Sequence, residues 1–186
     1  MSDNQHQPLI QMLLAAEGNV SHMYLDTRGF VTVGIGHMIA NADAATRLPF
    51  VHEDGTSATV AEIIAEYAKI KEQDPAHLAS YYTQFCQLHL KPEDVLAILD
   101  RDIDDTERGV STRFRNYYDY PHGPQDALLD MGFNLGVGGL TKYVKLRLAA
   151  ERKDWRACAD ECHRNGISDE RNAATRVLFL TAAESA

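Results

Sequence analysis

The sequence predicts an α+β chain that is mostly α, and three observations carry that reading. Strand-forming residues are confined to the first fifth of the 186 residues, centred on Phe30-Val-Thr-Val-Gly-Ile-Gly36. From Thr59 onward, apolar residues recur at helical spacing in segment after segment, each bounded by Pro, Gly or a capping residue. The length suits one domain, or one domain of two lobes, and such a chain buries roughly 70% of its unfolded surface without disulfides or a metal.

The elements follow in chain order. Pro8 fits the first turn of a helix over 8–17, where Leu9, Ile10, Leu13, Leu14 and Glu17 fall near one stripe and Gly18 is the stop. Tyr24 to Gly36 reads as a β-hairpin turning through Asp26-Thr-Arg-Gly29. Asp26 and Thr32 have even spacing, so with a three-residue loop both side chains lie on one face of the ribbon. Pro49 to Thr59 is polar and turn-rich, and Thr59 is a candidate N-cap. Helices are then predicted over 60–72, 75–89 and 92–108, the last opened by Lys91-Pro-Glu-Asp and followed by Gly109. A helix over 124–135 breaks at Gly136-Val-Gly-Gly139, and helices resume over 140–150, 154–164 and 169–183.

Charge narrows the partners. The net charge is −9, with nine Lys/Arg against six Asp/Glu between Lys142 and Arg176, and nine against twenty-one elsewhere. Phosphate recognition needs a basic face, so no nucleic-acid partner is expected. Nor does the acidic surface attract a polyanion at long range. No apolar stretch approaches the roughly 20 residues of a membrane span. The start, MSDNQHQP, has neither a basic cluster nor an apolar core, so the chain is expected to be made in the cytoplasm without a signal peptide. Cys86, Cys158 and Cys162 lack scaffold spacing and read as small buried thiols of a reducing compartment. Cys158 and Cys162 stand next to His163 but lack the third and fourth ligands of a zinc motif, so no metal is expected.

The chemistry concentrates in Glu17, Asp26 and Thr32. Two carboxylates and a hydroxyl are the minimal kit for hydrolysing a glycosidic bond: one carboxyl donates a proton to the leaving oxygen, and the other, ionised, steers water. Glu17 falls at a helix C-terminus, where the negative end of the dipole favours the neutral acid. Competing chemistries lack their motifs. Gly34-Ile-Gly36 is not a dinucleotide fingerprint, because position 39 is Ile and no βαβ unit surrounds it. There is no G-x-S-x-G elbow, H-E-x-x-H helix or phosphate-cradling loop.

Glu17, then Tyr24-Leu-Asp26-Thr-Arg-Gly-Phe-Val-Thr32-Val-Gly-Ile-Gly-His37, closely resembles the catalytic segment of phage-type lysozymes, glycoside hydrolase family 24. Leu90-Lys-Pro-Glu-Asp to Gly109 is similar to the family's long inter-lobe helix, Phe133 to Thr141 to its central helix and glycine turn, and Asn172-Ala-Ala-Thr-Arg-Val177 to its closing N-R-x-x-R-V helix. The resemblance implies a lysozyme-like fold, with a small N-terminal α/β lobe carrying the hairpin (about 1–60), a larger helical lobe (about 61–186) and a cleft between them.

It further implies a muramidase acting on bacterial peptidoglycan without a cofactor, as a monomer. In that reading Glu17 is the general acid, Asp26 and Thr32 hold the attacking water, and the anomeric carbon is inverted. Met38, Phe133 and Tyr143 fall at positions that line the family's saccharide cleft, and His37 matches a histidine that pairs with a helix carboxylate, here Asp102. The family arginine that faces the catalytic Glu is replaced by Ala173, leaving Arg171 or Arg176 as its substitute. The segment from His37 to Leu90 is longer than in compact members and is expected to cover or extend the cleft; its Leu-Pro-Phe and acidic loop suggest a toxin-like variant. With a net charge of −9, delivery to the periplasm or wall is expected to need help, from a holin or a secretion machine, and a toxin would have an immunity-protein partner. The rival readings are a catalytically silent glycan-binding module and a lytic transglycosylase.

Overall fold

The computed structural model describes residues 6–75 and 77–185, and of Glu17 the backbone alone. The chain forms two compact units. One is Glu17–Asp102; the other comprises the described residues before Glu17 and those from Ile103 onward. The unit that holds the hairpin therefore runs past the boundary near residue 60 read from the sequence, because the helix after Thr59 packs against the strands rather than with the later helices.

In the hairpin unit, β1 (Val20–Leu25), β2 (Val31–Gly34) and β3 (His37–Met38) form an antiparallel sheet in that order. The third strand extends the expected hairpin: Gly34 (φ 66°) and Gly36 (φ 74°) adopt the left-handed conformation that turns β2 back into β3. Met23, Leu25, Val31 and Val33 are buried, while residues between them on β1 stay half-open. After the short α2 (Ala42–Ala45), α3 (Val60–Lys71) packs on β1 and β2. Thr59 caps it through a full capping box, its hydroxyl accepting from Glu62 N–H while Glu62 accepts from Thr59 N–H.

The helix predicted over 75–89 is a correction. Among the described residues of that stretch, only α4 (Ala79–Tyr82) and a 3-10 turn over Thr83–Phe85 form. Beyond them the backbone is extended along the free edge of β1. Leu90 N–H bonds Ser21 O, the Cys86 thiol bonds Met23 O, and Val51 and His89 exchange both backbone bonds. Gln87 and Leu88 donate their N–H groups to the Glu66 carboxylate on α3 at 2.6 and 3.2 Å. Those donors are unavailable to a helix ladder, so tertiary partners override the local periodicity. The long 38–90 segment thus serves as the support of the sheet within its own unit.

α5 (Pro92–Ser111) runs from one unit into the other and does not stop at Gly109. A Cβ at Gly109 would lie 2.5 Å from Val137 Cγ2, so this glycine permits a close helix approach. α6 (His122–Leu140) carries Leu128, Leu129 and Met131 fully buried and is interrupted where expected, at Gly136 (φ 69°, ψ 152°). α7 (Val144–Glu151), α8 (Trp155–Glu161) and α9 (Asp169–Glu184) follow, with α9 packed on α6 and α8, and α7 on α8. Asp154 and Ser168 supply the N-caps of α8 and α9. All three cysteines are free, Cys158 and Cys162 buried and Cys86 half-buried. Among the described residues, no helix is long and apolar enough to cross a membrane.

Candidate active site

The hairpin unit brings three predicted residues into one small region. The register pairs Tyr24 with Thr32 and Thr32 with Met38, so these three side chains form a row across the sheet on a single face. Asp26 stands two residues beyond Tyr24, at the mouth of the turn, with its N–H on Phe30 O at 2.9 Å. The connection between the paired Leu25 and Val31 is five residues long rather than three, yet the alternation still leaves Asp26 on the Thr32 face.

Asp26 is held by its own turn. Its Oδ1 accepts the N–H groups of Arg28 and Phe30, each at 2.8 Å, and Gly29 N–H closes on Asp26 O at 2.9 Å. Gly29 takes the left-handed conformation (φ 77°) that the turn requires. Among the described residues no donor reaches Oδ2, which leaves that oxygen for an incoming group. Thr32 is 4% exposed, and its Oγ1 donates to Phe30 O at 3.1 Å. With its hydrogen engaged, the hydroxyl offers only lone pairs, an acceptor in a dry setting.

Glu17 is the last residue of α1 (Gln7–Glu17), and Gly18 (φ 72°) ends the helix as expected. Its side chain lies outside what the structure describes. His37 Nδ1 lies 2.8 Å from Asp102 Oδ2, which ties β3 to the middle of α5. Met38 is half exposed. Phe133 on α6 and Tyr143 just before α7 are half-buried and belong to the helical unit.

The arginine question resolves into two different environments. Ala173 is exposed on α9. Arg176 pairs with Asp160 at 3.1 Å on the surface. Arg171 turns inward, its Nε donating to Asp130 Oδ1 at 2.9 Å, and lines a cavity of about 250 Å³ with Met12, Ala15 and Ala16 of α1. Asp130 is completely buried and also receives Arg164 Nη2 and the Thr175 hydroxyl, at 2.6 and 2.7 Å.

Burial pushes the Cys86 and Cys158 thiols up to about 12, so neither supplies a thiolate near neutral pH. Among the described residues no three His, Cys, Asp or Glu side chains converge to hold a metal ion. The sequence reading passed over Tyr24 and the pair Arg28 and Lys71. Period-two spacing back from Asp26 points to Tyr24. Lys71 lies 41 positions beyond Phe30, and only the folded contact links them.

The phage lysozyme family matches residues 15–174 of the chain. The pre-baseplate central spike protein Gp5 of Enterobacteria phage T4 is 23% identical to it over 156 residues, covering 82% of this chain and 24% of its own length. The chain therefore spans about a quarter of the length of that curated relative.

Proposed function

The chain belongs to the phage lysozyme family, and from that premise we propose that it is a muramidase that hydrolyses the β-1,4 bond between N-acetylmuramic acid and N-acetylglucosamine in peptidoglycan. Glu17 is the general acid. At the C-terminal end of α1 the helix dipole favours the neutral carboxyl, which gives its proton to the departing glycosidic oxygen. Water donates one hydrogen to the open Oδ2 of Asp26 and the other to Thr32 Oγ1, so its remaining lone pair is aimed at the anomeric carbon. As the bond forms, the water proton passes to Asp26. Water rather than the carboxylate attacks, so the product is inverted.

The observation that carries this reading is the Asp26 turn. Two backbone amides fix one carboxylate oxygen, the other is open, and Thr32 presents an acceptor on the same face. Such an arrangement positions a hydrogen-bonded water better than it positions a direct nucleophile. Met38, next to Thr32 in the register, supplies an apolar contact for a sugar ring, while His37 with Asp102 holds β3 in place. Arg171, which lines the cavity with Ala15 and Ala16 of α1, takes over from the family arginine as charge support. At a net charge of −9 the enzyme gains no electrostatic capture by an anionic wall, so it is delivered close to its substrate, through a phage lysis route or a secretion machine.

Digestion of purified sacculi, followed by mass analysis, tests the reading. Reducing muropeptides are expected from the wild type, and Glu17→Gln should lower their release by about 1000-fold or more without unfolding the chain. Anhydro-sugar ends would instead make it a transglycosylase, and no release at all would make it a binding module. Lysis of intact outer-membrane-bearing cells by protein added from outside would remove the need for delivery.

A further inference from the structure

The stretch that braces β1 leaves a polar cavity against α3 that the hydrolytic mechanism does not use. It measures about 210 Å³, and Glu66 forms part of its wall. Glu66 is only 7% exposed. Its Oε2 takes the amides of Gln87 and Leu88, while Oε1 is buried and has no hydrogen-bond partner among the described residues. A buried acceptor left without a donor is costly, so this oxygen marks a place where a donor from outside the chain is wanted. A second cavity, of about 530 Å³, adjoins the first, shares His52, Gln87 and Leu88 with it and reaches Ser21 and His22 of β1. Ser21 stands at the end of β1 away from the turn, five residues or roughly 15 Å along the strand from Asp26.

The lining selects the charge of the occupant. Lys69, whose ammonium donates to Phe85 O at 2.9 Å, opposes a cation, while Glu62 and Glu66 oppose an anion. Burial favours the neutral form of Glu66, and a charged ligand would itself be desolvated beside it. Among the described residues no three His, Cys, Asp or Glu side chains converge on a metal ion, the histidines of the second cavity included. A neutral ligand that both donates and accepts fits this lining. Glu66 Oε1 accepts, Lys69 donates, and the Gln87 amide and His52 imidazole do either. Phe85 and Leu88 add apolar surface for the C–H face of a ring.

We propose that the two cavities form a second saccharide site, which holds neutral N-acetylhexosamine rings of a glycan strand at the end of β1 remote from the hydrolytic turn. The source of the strand rests on the reading of the chain as a peptidoglycan hydrolase; the chemistry of the cavities does not. The pair of cavities takes more than one ring, so an oligomer is held better than a single sugar. Uncharged contacts of this kind suit an acidic chain that gains no electrostatic capture by its substrate. Holding the strand at a second point also raises the local concentration of glycan at the turn.

Titration of the isotope-labelled full chain with tri-N-acetylglucosamine, followed through its amide NMR signals, tests the site. The amides of Gln87 and Leu88 should shift, with an affinity about tenfold or more above that for the single sugar. Ala65 is exposed on α3 and lines the first cavity, so Ala65→Trp fills it without removing Glu66 or its bonds. That variant, and separately Phe85→Ala combined with Gln87→Ala, should weaken the response at 87–88 about tenfold or more. The turn amides of Arg28 and Phe30 should respond to the sugar as in the wild type. On sacculi, Ala65→Trp should raise KM about threefold or more at unchanged kcat. Shifts confined to the turn, or shifts at 87–88 that Ala65→Trp leaves intact, overturn the site. Equal affinity for the single sugar overturns the strand as its occupant, and a stronger response of the 87–88 amides to spermine or to citrate overturns a neutral ligand. No reducing ends from sacculi, with the 87–88 response intact, would overturn the hydrolytic reading and leave the saccharide site standing.

Discussion

Asp26 and Asp130 are held in opposite ways, one in each compact unit. Asp26 is half-exposed, and the partners of its carboxylate are two amides of its own turn. Asp130 is completely buried and is gripped by Arg164, Arg171 and Thr175 from two other stretches of chain. The first arrangement is local and survives loss of the charge, since any side chain with an oxygen can close the turn. The second is long-range, and removing one member strands buried charge. A carboxylate that the fold does not depend on is free to take part in chemistry, whereas one the fold depends on is not.

The largest effect that would sharpen this contrast comes from Asp130→Ala. It leaves Arg164, itself 1% exposed, without its carboxylate, and should cost about 3–5 kcal/mol of stability in a denaturant titration. A variant as stable as wild type would erase the distinction. Asp26→Asn is the counterpart. The amide oxygen still accepts from Arg28 and Phe30, so stability should change by less than about 1 kcal/mol. Activity on sacculi should nevertheless fall about 100-fold or more, because a neutral amide cannot take the water proton. A drop in melting temperature comparable to that of Asp130→Ala would break the comparison.

A third, smaller effect tests close packing in the helical unit. Ala at Gly109 would place its Cβ 2.5 Å from Val137 Cγ2. The clash costs about 1–3 kcal/mol, and the gain in helix propensity returns about 1, so a net loss of roughly 1 kcal/mol is expected. Combining it with Val137→Ala should recover part of the loss, which a merely conformational role for Gly109 would not allow.

The same contrast explains what could be read from the sequence. Helix ends with their own chemistry were legible: Gly18 as a stop, Thr59 as a cap and Gly136 as a break all sit where the pattern placed them. So was the hairpin, whose turn runs through Asp26-Thr-Arg-Gly29 as the turn chemistry placed it. Gly109 misled because a glycine reads as a stop from the sequence and as a contact only once Val137 is folded against it. The 75–89 segment misled for a related reason, since Glu66 and the edge of β1 take donors that a helix needs. The Asp130 cluster was illegible, as its members are spread from 130 to 175 and nothing in their spacing links them.

The smallest effect separates the two units by pH, through one upward-shifted group in each. Burial raises the Glu66 carboxyl above its ordinary value, against the opposing pull of the Gln87 and Leu88 amides. Its contribution to stability is therefore fully present below about pH 4.5, the unfolded value, and is lost as pH rises through the folded one. In the helical unit, the 2.6 Å bond to Asp126 raises the His6 imidazole above 6.5. That stabilisation is complete below pH 6.5 and is lost as pH rises through the raised value, a separate window on the alkaline side. Denaturation midpoints measured from pH 4 to 9 should show both losses in the wild type. Glu66→Gln should flatten the acidic one, because the amide still accepts from the 87–88 backbone without ionising. His6→Gln should flatten the alkaline one alone. If either substitution removed both slopes, the two groups would be reporting a single shared titration, and the separation of the units by charge would fail.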